Sequence, residues 1–130
     1  MRELKEGIKC IKEDIVTEDQ TALILGSGGL AVYATPAMIR LMEHVALSGV
    51  EDCMEEGYST VGTLMNIKHI SASPVGAHIR CESELVEIDG RRLVFRVSSY
   101  DDDGLIGEGF HERFIINCDK FMERAESKIV

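Results

Sequence analysis

Between residue 58 and a short, charged terminal helix expected over 119–128, the chain offers only strands, and this limits the possible folds more than any other feature of the sequence. From residue 58 onward, stretches of alternating apolar and polar residues follow one another with short turns between them. No helical stretch in this part is long enough to connect parallel strands, which need a crossover of about a dozen residues or more. The pattern therefore predicts an antiparallel meander of strands.

Turn residues separate the strands of this meander. Asp89-Gly90 is a strong hairpin signal, and Asp101-Asp102-Asp103-Gly104 predicts the next turn. The predicted strands cover residues 60–70, 77–85, 93–98 and 105–118. On the last strand the period of two places Gly107, Gly109, His111 and Arg113 on one face. Glycines two residues apart indicate that another element, such as a helix, packs closely against that strand.

The first half of the chain supplies one long helix. Thr35-Pro36 is a good start signal, because Thr caps free N–H groups and Pro at the first helical position loses no hydrogen bond. At about 100° per residue, the apolar residues between 36 and 56 fill one broad arc. A strand is expected over about 7–16 and another over 21–25. The chain thus predicts an α+β fold in which one antiparallel sheet wraps around one long central helix.

A glycine-rich stretch follows the second expected strand. Gly26-Ser27-Gly28-Gly29 mimics a dinucleotide-binding loop, but that fold needs further βαβ units and this chain has none after residue 58. We expect a loop or lid beside the start of the helix. A sheet of this kind leaves one face or one edge uncovered, and dimerisation is the usual remedy.

Three polar residues occupy positions where the apolar pattern does not expect them. Glu43 falls inside the apolar arc of the helix, His69 shares a strand face with Val61, Thr63, Met65 and Ile67, and Thr35 begins the helix. Taken singly, each has an ordinary structural explanation: a salt-bridged carboxylate, a hydrogen-bonded core histidine and a helix cap. Together they are the components of an acid/base or nucleophilic site, and burying an unpaired carboxylate is costly.

Composition and charge narrow the class of protein. With 130 residues, 45% of them hydrophobic and 28% charged, the chain is long enough for one domain, expected over 1–130. A net charge of -9 argues against nucleic acid or an anionic membrane as partner. The four cysteines have no metal-ligand spacing and suit reduced core thiols. With no leader and no membrane-length apolar run, the expected location is the cytoplasm.

Several short motifs recur at fixed spacing along this order of elements. They are Ala34-Thr35-Pro36, Glu43, Thr60-Val61-Gly62-Thr63, His69 followed by Pro74-x-Gly76, and Gly107-x-Gly109-x-His111-x-Arg113. In these motifs the chain resembles the hot-dog-fold thioesterases of the fluoroacetyl-CoA thioesterase-like family, over roughly residues 10 to 117. The resemblance implies hydrolysis of an acyl-CoA thioester by a homodimer with active sites at the subunit interface. It implies no cofactor beyond the coenzyme A that is part of the substrate.

The resemblance also implies roles for individual residues. Thr35, Glu43 and His69 match the catalytic trio, Gly62 a glycine beside the thioester, and Arg113 an arginine near the pocket. His69 would serve as base and acid. Glu43 would either orient it or attack directly, and Thr35 would be the nucleophile or would hold Glu43 or water. A covalent acyl intermediate and direct hydrolysis both stay open.

The substrate and the class of activity are less closely defined. The fluoroacetyl-specialised member has bulky aromatic lid residues where this chain has Gly26 to Leu30, so a small or medium acyl group is expected rather than selectivity for fluoroacetyl. For the nucleotide, the candidate basic residues are Arg91, Arg92, Lys68 and Arg80. The competing hypotheses are a non-catalytic module that binds acyl-CoA or another small molecule, and a hot-dog hydratase acting on enoyl-CoA.

Overall fold

Five strands form one antiparallel sheet in the order β1-β3-β4-β5-β2 in the computed structural model, which describes residues 1–129. The strands are β1 (Lys9–Ile15), β2 (Tyr58–His69), β3 (His78–Asp89), β4 (Arg92–Asp101) and β5 (Gly104–Asn117). The helices are α1 (Ala22–Leu25), α2 (Thr35–Val50) and α3 (Cys118–Glu126). Short 3-10 turns cover Glu18–Gln20 and Glu51–Cys53. The hairpin turns predicted at Asp89-Gly90 and at 101–104 are both present.

The long helix α2 lies across one face of the sheet, which confirms the predicted α+β architecture. Its buried residues follow the helical period. They pack on the inward rows of β3 and β4, where alternate residues are fully buried. The core consists mainly of Ala37, Met38, Leu41, Met42, Val45, Ala46 and Val50 from the helix and of Ile79, Cys81, Leu85, Leu93, Phe95 and Val97 from the strands.

Two local predictions for the segments between β1 and β2 were wrong. The helix ends at Val50 rather than near residue 56. A 3-10 turn follows it over Glu51–Cys53 and ends at the buried Cys53, so the α-helical hydrogen bonding does not continue. The stretch 21–25 is not a strand but the short helix α1. Thr21 caps it by accepting the Ile24 N–H at 3.4 Å, and Gly26 ends it in a left-handed conformation with φ of 78°.

A β-bulge changes which residues of β2 face the helix. The pairing between β2 and β5 shifts register between Gly62 and Leu64. Beyond the shift, Met65, Ile67 and His69 are half-buried on the helix side, as predicted. Before the shift, Thr60 is buried and Gly62 faces α2. The prediction that Val61 and Thr63 share the face of His69 was therefore wrong.

The glycines of β5 allow close approach, though not both to the helix. A Cβ atom on Gly107 would lie 2.6 Å from Met38 of α2, whereas a Cβ atom on Gly109 would lie 2.0 Å from the main-chain oxygen of Asn66 on β2. His111 and Arg113 are buried on the inner face, as predicted. Ile106 is also fully buried in the core.

The two edges of the sheet differ in character. β1 points the charged residues Lys12 and Asp14 inward, a feature that discourages edge-to-edge pairing. β2 is twelve residues long, and near its middle Leu64 is exposed and Met65 is half-buried. Within residues 1–129, no helix is long and apolar enough to cross a membrane.

Candidate active site

Thr35 and His69 meet at the amino-terminal end of α2. The Thr35 hydroxyl oxygen lies 2.8 Å from His69 Nδ1. Pro36 sets the first turn of the helix, and β2 ends at His69, so each side chain stands at the end of a rigid element. A hydroxyl hydrogen-bonded to an imidazole nitrogen is the arrangement that activates an oxygen nucleophile or holds a water for attack. This contact is called the Thr35–His69 pair below.

The surroundings of His69 keep its imidazole neutral. Burial lowers the pKa of His69, and a main-chain interaction with Ser71 opposes that shift in part. Its Nε2 atom is buried without a hydrogen-bond partner among residues 1–129. The Tyr33 ring stands edge-on to the imidazole, with centroids 6.5 Å apart. A neutral imidazole at pH 7 can accept the Thr35 proton at Nδ1.

An open cleft of about 310 Å³ adjoins this pair. Its wall includes Ala22, Ser27, Val32, Tyr33 and Ile70, together with the pair itself. The cleft therefore lies between the loop that precedes α2 and the end of β2. The wall combines apolar side chains, which suit an acyl group, with the polar side chains of Ser27, Ser71 and the pair.

Glu43 lies in a different cluster, beside Gly62, His111 and Arg113. A Cβ atom built on Gly62 would be 2.8 Å from Glu43 Oε2, 3.1 Å from His111 Cε1 and 3.5 Å from Arg113 Nη1. Glu43 is half-buried at the side of α2 that faces β2. The lack of a side chain at position 62 leaves the space in which these three groups approach one another. These four residues are called the Glu43 cluster.

The two groups of residues are separated within one protomer. Thr35 and Glu43 are about two turns apart on α2, which corresponds to roughly 12 Å along the helix axis. The carboxylate of Glu43 makes no hydrogen bond to His69 in the described part of the chain. The structure therefore brings together Thr35 with His69, and Glu43 with Gly62 and Arg113, but not the two sets with each other.

The basic residues proposed for the nucleotide have different surroundings. Arg92 is held by Glu87 at 2.7 Å and by Glu112 at 2.8 Å, and these hydrogen bonds raise its pKa. Arg80 lies over the Tyr100 ring and pairs with Glu82. The side chains of Lys68 and Arg91 are exposed and form no ion pair among residues 1–129.

Other nucleophiles and ligands fit less well. Burial raises the pKa of the Cys81 thiol to about 11, which removes its thiolate at neutral pH. Within the described residues, no three His, Cys, Asp or Glu side chains converge as metal ligands. The sequence interpretation gave no function to His111, although its place two residues before Arg113 on one strand face put it beside the same site.

Comparison with known proteins identifies the family of the chain. A family model described as "fluoroacetyl-CoA-specific thioesterase" matches residues 16–119. The fluoroacetyl-CoA thioesterase of Streptantibioticus cattleyicolor is 36% identical over 97 residues, which are 75% of this chain and 70% of that protein. A mutant of the fluoroacetyl-CoA thioesterase FlK, solved with acetyl-CoA, superposes with a TM-score of 0.93 at 28% identity, covering 98% of this chain and 100% of that one.

A hypothetical protein of Thermus thermophilus, described as a thioesterase superfamily member, superposes with a TM-score of 0.88 at 28% identity, covering 98% of this chain and 97% of that one. The match to the family model covers most of the sequence, including both the Thr35–His69 pair and the Glu43 cluster. The chain belongs to the fluoroacetyl-CoA-specific thioesterase family and has the hot-dog fold.

Proposed function

We propose that this protein hydrolyses the thioester of a small or medium acyl-CoA, and that each active site combines Thr35 and His69 of one protomer with Glu43 of the partner subunit. The observation that carries the proposal is the 2.8 Å contact between the Thr35 hydroxyl and His69 Nδ1, at the edge of an open cleft. The family relationship supports thioester chemistry at this pair. The proposed reaction needs no cofactor apart from the coenzyme A carried by the substrate.

The Thr35–His69 pair supplies the first chemical step. In the covalent route His69 takes the hydroxyl proton while Thr35 Oγ1 attacks the thioester carbonyl. The first N–H groups of α2 lack partners within the helix and carry the positive end of its dipole, so they suit the developing oxyanion. His69 then returns its proton to the departing thiolate, and free coenzyme A leaves.

The two routes differ in what remains after the thiol has left. Attack by Thr35 leaves an acyl ester on its oxygen, which a water must hydrolyse, whereas attack by water gives the free acid directly. In both routes a water molecule has to be deprotonated. A carboxylate facing the cleft from the partner's Glu43 suits that role as a general base, and in direct hydrolysis it passes the proton on to the departing thiolate.

Pairing of the β2 edges in a homodimer would bring Glu43 to the other protomer's pair. Antiparallel pairing of β2 with its own copy, about a two-fold axis at Asn66, sets Met65 opposite Ile67 and, with Thr63 as the extra residue of the bulge, Gly62 of one copy opposite His69 of the other. Glu43 lies beside Gly62 in each chain. The Glu43 cluster of one subunit then lies next to the Thr35–His69 pair of its partner, and the dimer has two such sites.

The surface beside the β2 edge also suits a second copy of this chain. On α2, Ile39 and Leu47 flank Glu43 and are only half-buried. Met65 and Ile67 of β2 are half-buried as well, and Leu64 is exposed. A long unpaired edge with apolar residues beside it is a common place for sheets to join. Two-fold pairing would bury both the unpaired β2 edge and the apolar residues beside it.

The acyl group is proposed to be short to medium in length. The loop over the cleft contains Gly26, Gly28 and Gly29 and has no aromatic residue between positions 22 and 32. Exposed aliphatic side chains surround it, namely Leu23, Ile24, Leu25 and Leu30. A cleft of about 310 Å³ with such an entrance has room for more than a two-carbon group.

The nucleotide of coenzyme A needs cationic side chains that are not already paired. Arg91 is the better of the two hairpin arginines, because Arg92 already holds Glu87 and Glu112. We also propose a reducing compartment such as the cytoplasm, since all four cysteines are free thiols.

Thiol release from a panel of acyl-CoAs tests the proposed function. The panel runs from acetyl to medium chain and includes fluoroacetyl, with protein thiols subtracted as background. We expect turnover of at least one thioester, and losses of roughly a hundredfold or more in Thr35→Ala, His69→Ala and Glu43→Gln. Binding of acyl-CoA without any thiol release would mean that the protein is a binding module. Hydration of an enoyl-CoA without thiol release would place it among hydratases.

Mass spectrometry of the stopped reaction separates the two routes. A covalent route predicts an acyl group on the peptide that contains Thr35, and accumulation of that adduct in Glu43→Gln if the carboxylate activates the second water. Direct hydrolysis predicts no adduct in either protein.

A further inference from the structure

His111 is a buried imidazole whose hydrogen bonds define its tautomer. Its Nδ1 atom lies 2.9 Å from the main-chain oxygen of Leu64, which can only accept, so Nδ1 carries the proton. Its Nε2 atom lies 3.1 Å from Arg113 Nη1, which can only donate, so Nε2 is the acceptor. The ring also stacks on Phe95, with centroids 6.2 Å apart. Both ring nitrogens are thus satisfied only when the imidazole is neutral.

Arg113 is a buried cation without a direct ion pair. Only 5% of the residue is exposed, and its other donors bind the Thr60 hydroxyl at 2.8 Å and the Thr60 main-chain oxygen at 2.7 Å. No carboxylate among residues 1–129 forms a salt bridge with it, although Glu43 is close enough to act on its pKa. A buried guanidinium strongly favours a salt bridge with a carboxylate this near, so another contact holds Arg113 and Glu43 apart.

The hydrogen bond from Arg113 Nη1 to His111 accounts for that separation. Nη1 is the guanidinium nitrogen on the Glu43 side, 3.5 Å from the position that a Cβ atom on Gly62 would take. His111 Nε2 accepts one of its two protons and fixes the direction of that nitrogen, while Thr60 holds the other end of the guanidinium. Through Leu64 the same imidazole is tied to the β-bulge that turns Gly62 toward α2.

We propose that His111 is a positioning residue for the thioesterase reaction, which keeps the Arg113 guanidinium from closing onto Glu43 and so leaves that carboxylate free to act on water. The inference rests on the proposed function, because it concerns the same carboxylate. His111 touches neither Thr35 nor His69 and acts only through Arg113.

The charges around His111 are consistent with this role. Burial lowers the pKa of His111, and the positive charge of Arg113 lowers it further, whereas Glu43 of α2 and Glu112 of β5 oppose the shift. Protonation would place an N–H against the guanidinium and break the contact at Nε2. The lowered pKa and the two hydrogen bonds both favour the neutral imidazole at pH 7.

Three substitutions separate positioning from simple packing. His111→Phe keeps an aromatic ring against Phe95 but offers no acceptor. His111→Asn keeps a donor toward Leu64 but is too short to reach Arg113, and His111→Gln supplies an amide oxygen at about the distance of Nε2. We expect Phe and Asn to lower kcat by about ten- to a hundredfold with KM within about threefold, as for a misplaced catalytic group. Gln should stay within about threefold of the wild type in both constants.

The outcomes distinguish this inference from the proposed function. Equal kcat in the His111→Gln and His111→Asn variants, whether high or low, would overturn the positioning role of His111. A fall in kcat that merely follows loss of folding in all three variants would overturn it as well. If His111→Phe does not fold, the comparison of Asn with Gln decides. An NMR readout needs no turnover: the Arg113 Nε–H signal should shift in the Asn variant and be restored in the Gln variant. An unchanged signal in Asn contradicts the inference even if no thioester is ever hydrolysed.

Discussion

A methyl group at position 62 should damage activity far more than stability. In Gly62→Ala the new Cβ atom would lie 2.8 Å from Glu43 Oε2, closer than a methyl group and an oxygen approach one another without strain. The contacted atom is the far end of a flexible side chain, so Glu43 can move aside. His111 Cε1 at 3.1 Å belongs to a packed ring and limits movement in the other direction.

The two effects can be estimated separately. Overpacking costs about 1–3 kcal/mol, and replacing Gly by Ala returns about 0.4–1 kcal/mol by restricting the unfolded chain. The net loss in the free energy of unfolding should be about 0–2.6 kcal/mol, which lowers Tm by at most roughly 10 °C. Displacing a catalytic carboxylate by about 1 Å can cost on the order of a hundredfold in rate.

The assay is kcat for thiol release, measured beside a thermal melt. Gly49→Ala is the matched control, because its Cβ atom would meet Cys10 at a comparable 3.1 Å but lies away from both the pair and the cluster. We expect kcat of Gly49→Ala within about twofold of the wild type, since surface and core changes away from the site leave its geometry intact. A Gly62→Ala protein that is folded and fully active would refute the placement of Glu43 in the active site.

Three further predictions concern pH and charge. Because burial lowers the pKa of His69 below 6.5, the acid limb of the kcat profile should have its midpoint below pH 6.5, and a midpoint above it would contradict His69 as the neutral base. Because the pKa of His111 is lowered in the folded state, the unfolded chain binds a proton at this residue more readily than the folded protein does. The free energy of unfolding should therefore fall as the pH drops below 6.5. In urea titrations at several pH values, His111→Gln should reduce this dependence of the free energy of unfolding on pH. Arg91→Ala should raise KM for acyl-CoA several-fold, whereas Arg92→Ala should leave KM unchanged and lower stability, because Arg92 already holds Glu87 and Glu112; equal KM effects in both variants would contradict this assignment.

The elements with a clear period were predictable from the sequence, and the irregular ones were not. Pro36 correctly marked the helix start, and alternation predicted the inward rows of β3 and β4. The prediction that Thr35 caps the helix was wrong, because Ala34 is the N-cap, no side chain caps the helix, and the Thr35 hydroxyl contacts His69 instead. The stretch 21–25 is aliphatic and short, so its pattern suits a strand equally well. Its capping residues, Thr21 and Gly26, were the signals for a helix that the interpretation did not use.

The sequence marked Thr35, Glu43 and His69 as polar residues at positions where an apolar pattern does not expect them, but their grouping required the structure. Periodicity placed Gly62 on the face opposite His69, and only the bulge after it turns Gly62 toward α2. A bulge inserts one unpaired residue and leaves no clear mark in a pattern of alternating residues. The separation of Glu43 from His69 depends on where β2 ends relative to the helix, which no local pattern determines.

The most direct test of a site shared between two subunits is a mixing experiment with two inactive variants. Thr35→Ala and Glu43→Gln are each expected to be inactive alone. A dimer with one chain of each retains one complete site, formed by Thr35 and His69 of the Glu43→Gln chain and Glu43 of the Thr35→Ala chain. With half of the dimers mixed, the account predicts recovery of about a quarter of the wild-type activity. Mixed dimers that form, as shown by two distinguishable tags, yet release no thiol would contradict it.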